Sequence, residues 1–272
     1  MRHVGGTMNV NGLRQRVTRV RLVAANTVRA AVRRKTFHAI LLLAAVWAVG
    51  AQGLRELNFA GNDARFLAEL GLGALALFGA ALTIVLTSQS FFAEIERRTI
   101  LPLLARPLGR GEYLLGQWLG IATVIAIYGA VMTTLLVLLV RGPASVSTDN
   151  GWVAAILIAG AAQGLKLWVL AALVLLIASF AESQIFTVLV AALVLVGCEL
   201  QGFAAEVAAR GGSSWVRATC EAVSLLLPDF RRFGFSLENA AASRLPLLGL
   251  YALVYVAVIH GLAVLSFRRR DL

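Results

Sequence analysis

Apolar runs free of charged residues recur along the chain at membrane-crossing length. They cover 36–54, 70–93, 113–140, 150–165, 167–181, 183–198 and 245–267. A helix needs roughly 20 predominantly apolar residues to cross a bilayer, so 36–54, 70–93, 113–140 and 245–267 each qualify alone. The block 150–198 is broken only by Lys166 and Glu182 and is too long for one crossing. Ala181-Glu182-Ser183 is its natural polar turn, which makes it a tight hairpin of two spans. The pattern predicts an all-α polytopic membrane protein. Its six spans lie at about 36–54, 68–93, 113–140, 151–180, 184–203 and 246–267, in a single transmembrane domain over 36–272.

Residues 1–35 follow a different rhythm. Leu13, Val17, Val20, Ala24, Val28 and Ala31 recur at steps of three and four, one face of an α-helix, while Arg19, Arg29 and Arg33 point away from it. An Arg-rich, acid-free start also describes a mitochondrial presequence. The continuous stripe is better explained by a retained helix lying on the membrane surface and feeding the first span as an elbow.

Composition agrees with a hydrocarbon solvent. The chain is 59% hydrophobic and 14% charged, with a mean hydropathy of +0.81, against about 25% charged in an ordinary soluble domain. The formal net charge is +11. In so apolar a chain this excess points to basic flanks on the cytoplasmic side and not to nucleic acid. Arg2, Arg14, Arg16, Arg19, Arg21, Arg29, Arg33, Arg34 and Lys35 precede the first span, and Arg97, Arg98, Arg106 and Arg110 follow the second. Arg268, Arg269 and Arg270 end the chain. The short opposite loops hold Arg55, Arg65 and Arg141. Both termini are therefore expected in the cytoplasm of a bacterial inner membrane. The 199–244 segment, expected outside, carries Trp215, Val216, Thr219, Val223 and Leu226 on one helical face before Pro228. That face suits a helix on the outer leaflet or a short re-entrant element. Cys198 and Cys220 would be able to pair there if brought together.

Catalytic chemistry has little to work with. Lys35 and Lys166 follow Arg34 and Leu165, so the Gly-Lys of a phosphate-binding loop is absent. His3, His38 and His260 are isolated from one another and from any paired cysteines, which argues against a metal set. No cofactor is expected in this chain. Lys166 is the outlier inside the spans: a lysine near mid-membrane costs about 2.5–3.5 kcal/mol on insertion scales, so it must face protein or water. With Gln163 one turn away, and with Thr87 and Gln89 at the inner end of the second span, it is a candidate to line a polar pathway. Pairing inside the bundle is the alternative for Lys166. Gly116-x-x-x-Gly120 and Gly160-x-x-x-Gly164 suit close helix packing, with a protomer interface as one use.

The loop after the second span carries the most information. It runs from Glu94-Ile95-Glu96-Arg97-Arg98-Thr99-Ile100 through Leu103-Leu104-Ala105-Arg106-Pro107 to Arg110. Charges interleave with apolar Ile100, Leu103 and Leu104, and Pro102 and Pro107 should divide the loop into a short amphipathic helix and a turn. Such a helix beneath a membrane is a docking element or an ordinary solvated loop.

The same residues resemble the cytoplasmic loop of ABC-2-type transporter permeases, whose pattern begins E-x-x-x-x-T-I and continues with L-L-(A/S)-(R/K)-P. The resemblance extends to Val20–Arg29, to Leu227-Pro228-Asp229-Phe230 and to the ending Phe267-Arg268-Arg269-Arg270-Asp271-Leu272. It is closest in character to the permease of the nitrous-oxide-reductase maturation system. Gly109, Gln117 and Pro102 depart from the family pattern.

The resemblance implies a permease subunit, itself not an enzyme, working as a homodimer or paralogous heterodimer and usually in export. ATP and Mg would sit on a separate ATP-binding cassette subunit. Glu94, Glu96, Arg97, Arg98, Thr99, Ile100, Leu103, Leu104, Arg106, Pro107 and Arg110 would then form the coupling surface to that ATPase. A non-transporting membrane anchor of an ATPase is the main alternative. A membrane-embedded enzyme using His260 or Lys166 is a third class.

Overall fold

The computed structural model describes residues 10–50, 53, 63–96, 109–140, 150–209, 227–234 and 242–268. All regular structure among them is helical, as hydrocarbon demands of a chain that must satisfy its own backbone hydrogen bonds. The helices are α1 (Val10–Val32), α2 (Lys35–Gly50), α3 (Asp63–Glu96), α4 (Arg110–Val140), α5 (Asn150–Phe180), α6 (Gln184–Ala209) and α7 (Leu245–Arg268). Two 3₁₀ turns, Phe230–Phe233 and Ala242–Arg244, precede α7.

Five of these helices are long and apolar enough to cross a membrane, over Arg65–Ile95, Gly111–Val140, Gly151–Phe180, Gln184–Gln201 and Ala242–Ser266. The expected hairpin is present: α5 stops at Phe180 and α6 starts at Gln184. Ser183 caps α6, its hydroxyl accepting from the Phe186 amide at 3.2 Å. α6 runs to Ala209, six residues past the expected end of that span. The expected first span corresponds to α2, an apolar helix of 16 residues. At 1.5 Å per residue it is about 24 Å long, short of a hydrocarbon core of about 30 Å. Apart from Gly53, residues 51–62 lie outside the described residues.

α5 is the axis of the bundle. Apart from Gln163 and Lys166 its length between the ends is almost wholly apolar, with no polar face for water, and it packs against α3, α4, α6 and α7. Every side chain from Val169 to Leu175 is buried. Two tryptophans tie α5 to α4: Trp118 Nε1 donates to the Trp168 carbonyl at 3.1 Å, and Trp168 Nε1 donates to the Ala122 carbonyl at 3.0 Å. Their rings meet edge to face with centroids 6.3 Å apart, so each large apolar ring is buried with its one donor satisfied. α6 and α7 close the far flank and expose leucines and valines such as Leu193 and Leu253 outward.

α1 lies along the first turns of α4, and glycine makes this possible. A Cβ added at Gly116 would sit 2.7 Å from Val23 Cβ, and one at Gly120 would sit 2.6 Å from Thr27 Cβ. The Gly116-x-x-x-Gly120 pair thus serves a contact within the chain. It does not face outward as a protomer interface would require. Of the stripe read from sequence, Val20, Ala24, Val28 and Ala31 turn inward, whereas Val17 is exposed. Replacing Gly120 by Leu should force α1 off α4 and cost about 1–3 kcal/mol. Thermal unfolding of the purified protein should show this as a lowered Tm, while Gly73→Leu, where an added Cβ meets nothing within 4 Å, leaves Tm near wild type.

Candidate functional site

The ends of the 97–109 connection are held together by side chains that the sequence reading had only partly singled out. Glu94, in the last turn of α3, accepts a hydrogen bond from the Tyr113 hydroxyl in the first turn of α4. One turn and a half back along α3, Gln89 receives both arms of Arg34. Nη1 donates to Gln89 Oε1 at 3.2 Å and Nη2 to the Gln89 carbonyl at 3.3 Å. Arg34 sits in the two-residue break between α1 and α2, close enough to Glu94 for their charges to attract. At its other end α1 meets α4 through Glu112, with Arg16 Nε at 3.4 Å and Arg19 Nη1 at 3.9 Å. Each surface pair contributes little alone. Together with the glycine-enabled contact they fix α1, the α1–α2 break and the base of the loop as one unit.

Of the residues that the family resemblance assigns to coupling, Glu94, Glu96 and Arg110 lie on the described helices. Arg97, Arg98, Thr99, Ile100, Leu103, Leu104, Arg106 and Pro107 lie outside the described residues, as do Cys220 and the stripe from Trp215 to Leu226. Tyr113 and Arg34 were not singled out. Tyr113 reads as one more interfacial aromatic, and Arg34 is one of nine basic residues before the first span. Only the fold picks out which of them reaches α3.

The second polar cluster surrounds Lys166, which is 7% exposed. Its ammonium is ion-paired with Glu199 of α6 and lies 5.5 Å from the centroid of the Phe230 ring. The α5–α6 hairpin sets Glu199 opposite Lys166. The Leu227–Gly234 stretch packs into the bundle above this pair, with Phe230 and Phe233 buried. It is pinned from both flanks: Gln201 Nε2 donates to the Leu227 carbonyl at 3.0 Å, and the Asp229 amide donates to the Tyr251 hydroxyl of α7 at 3.0 Å. Asp229 also caps its own turn by accepting from the Arg231 amide. Arg232 stacks over Tyr251 at 5.2 Å. The Leu-Pro-Asp-Phe landmark therefore has a structural job, because Asp229 shapes the turn that places Phe230 over Lys166.

The candidate pathway residues are not gathered at one point. Gln89 is held by Arg34, whereas Thr87, two residues earlier in the last third of α3, is buried. Gln163 lies one turn before Lys166. Neighbouring hydroxyls are satisfied by their own helix, Thr83 by the Gly79 carbonyl and Ser90 by the Thr87 carbonyl. By contrast Thr87 Oγ1, Gln163 Oε1 and both amide atoms of Gln117 are buried without a hydrogen-bond partner among the described residues. Gln117 was noted only as a departure from the family pattern. Among the described residues no group of His, Cys, Asp and Glu is placed to hold a metal ion.

Glu199→Leu should leave the buried Lys166 ammonium uncompensated and cost about 3 kcal/mol, the lower end for stranding a buried charge. A Lys166→Met/Glu199→Leu double variant should recover most of that loss. Melting temperatures in lipid nanodiscs would check both, and a single variant as stable as wild type would remove the bracing role.

A family model described as ABC-2 family transporter protein matches residues 6–209. A search of curated proteins finds no significant match to the chain. The family match runs from α1 through α6, covering well over half of the sequence, and the five long apolar helices accord with it. The chain belongs to the ABC-2 transporter family and is a multi-pass membrane protein of transport.

Proposed function

We propose that this chain is the permease subunit of an ATP-binding cassette exporter, and that it couples to a separate ATPase through the loop between α3 and α4. The observation that carries the reading is the braced base of that loop in a chain of this family. Glu94 and Tyr113 clamp the two ends, and Arg34 ties them to the break between α1 and α2. A docked ATPase pushing on residues 97–109 would move α3, α4 and α1 together. Force would then pass through the tryptophan ties to α5, the helix that packs against α3, α4, α6 and α7.

In this reading α1 is the elbow, with exposed Val17 and Leu22 facing lipid. α2 with the residues after it makes a sixth span, which puts both termini in the cytoplasm. Two copies, or this chain and a paralogue, form the pathway in a bacterial inner membrane. The buried polar atoms of Thr87, Gln117 and Gln163, without partners among the described residues, support a route between α3, α4 and α5 that becomes hydrated when the bundle opens. ATP and Mg bind the partner subunit, since this sequence carries no Gly-Lys phosphate loop.

Expression with the neighbouring genes and purification in lipid nanodiscs should bring down a stoichiometric P-loop ATPase. Scrambling residues 94–110 should abolish its capture, and Glu94→Ala with Arg106→Ala should keep the complex but uncouple ATP hydrolysis from transport. A properly inserted protein that captures no ATPase would overturn the coupling role.

A further inference from the structure

The described helical glycines include two contrasting kinds. A Cβ added at Gly79, Gly116, Gly120 or Gly160 would run into a neighbouring helix, so their missing side chains are explained by packing. At Gly129, Gly164 and Gly249 an added Cβ meets nothing within 4 Å. These three line one groove between α4, α5 and α7, with a volume of about 710 Å³. Its floor includes Trp168, whose only donor is already taken by the Ala122 carbonyl. The walls are almost wholly apolar, so the groove offers hydrocarbon contact and few hydrogen bonds.

Its dimensions select the occupant. Along α5 it runs from Leu157 to Trp168, about 16 Å at 1.5 Å per residue. That is the depth of one leaflet of a hydrocarbon core about 30 Å thick. Leu245 and Pro246 form one end of the groove, and the residue immediately before them is the exposed Arg244. Arg244 has no ion-pair partner among the described residues. A cation at the rim of an apolar slot one leaflet deep matches a phosphate above an acyl chain.

We propose that this groove is a phospholipid site, in which one acyl chain lies against Gly129, Gly164 and Gly249 and the anionic headgroup pairs with Arg244. The site does not depend on the coupling role proposed above, and its test reads lipid and not transport.

The full-length protein would be reconstituted in nanodiscs of phosphatidylglycerol or phosphatidylcholine, extracted into mild detergent, and examined by native mass spectrometry. Wild type should retain about one phosphatidylglycerol per chain in preference to phosphatidylcholine. Arg244→Gln should weaken that preference about fivefold, the worth of one basic residue against an anionic lipid surface. Gly129→Leu/Gly164→Leu should fill the slot and release both lipids. Should that variant fail to fold, phosphatidylglycerol with brominated chains supplies a wild-type readout. It should quench tryptophan emission more than brominated phosphatidylcholine does, and Trp168→Phe should remove the difference. Equal retention of the two lipids by wild type, or a preference untouched by Arg244→Gln, would overturn the proposal. So would unchanged lipid retention in the double glycine variant with loss of its oligomer, which would assign the groove to a second copy.

Discussion

A polar group inside hydrocarbon has no water to turn to, and that constraint organises this molecule. It dictates helices, because only a helix satisfies its own backbone within one segment. It also explains the local habit of the hydroxyl residues: Thr27, Thr83, Ser90 and Ser179 each donate back to a carbonyl three or four residues earlier. Groups too large for that solution are bonded across helices. The two indoles donate to backbone carbonyls between α4 and α5, and Lys166 meets Glu199 between α5 and α6. Each tie is expensive to break where it lies, so the polar residues specify which helices are neighbours while apolar contact supplies most of the attraction.

These ties converge on α5 and divide the bundle into two ends with different character. At one end, Arg34, Gln89, Glu94 and Tyr113 join the break after α1 to the base of the α3–α4 loop. At the other, Leu227–Gly234 is folded inward over Lys166 and pinned by Gln201 and Tyr251. A single long helix, apolar but for a few residues such as Gln163 and Lys166, connects the two. Movement imposed at the loop has a short mechanical route to the inward-folded segment, through helices that cannot bend without losing buried contacts.

Glycine shows how packing and vacancy differ within one fold. Where Gly116 and Gly120 let α1 approach α4, the missing side chain is replaced by protein atoms at close contact. Where Gly129, Gly164 and Gly249 open onto a groove, no part of the described chain takes that place. The sequence pattern is the same small-residue spacing in both cases. Gly160 and Gly164 illustrate this within a single motif, the first pressed against Thr133 and the second facing open space.

Hydropathy and length alone determined that this chain is helical and membrane-spanning, where the α5–α6 hairpin turns, and that α1 has an apolar face. Those properties depend on local composition and on the thickness of the solvent, which a single segment carries within itself. The order of weak motifs along the chain also sufficed to point to the family. Tertiary structure decided the pairings. Glu199 became the partner of Lys166 because the tight turn between α5 and α6 lays the two helices side by side and sets residue 199 opposite residue 166. Arg34 was chosen from a run of basic residues because the break between α1 and α2 falls opposite Gln89. Gly116 and Gly120 turned inward because α1 lies along that face of α4. Such contacts depend on the rotation and crossing of helices far apart in sequence, and no local pattern encodes them.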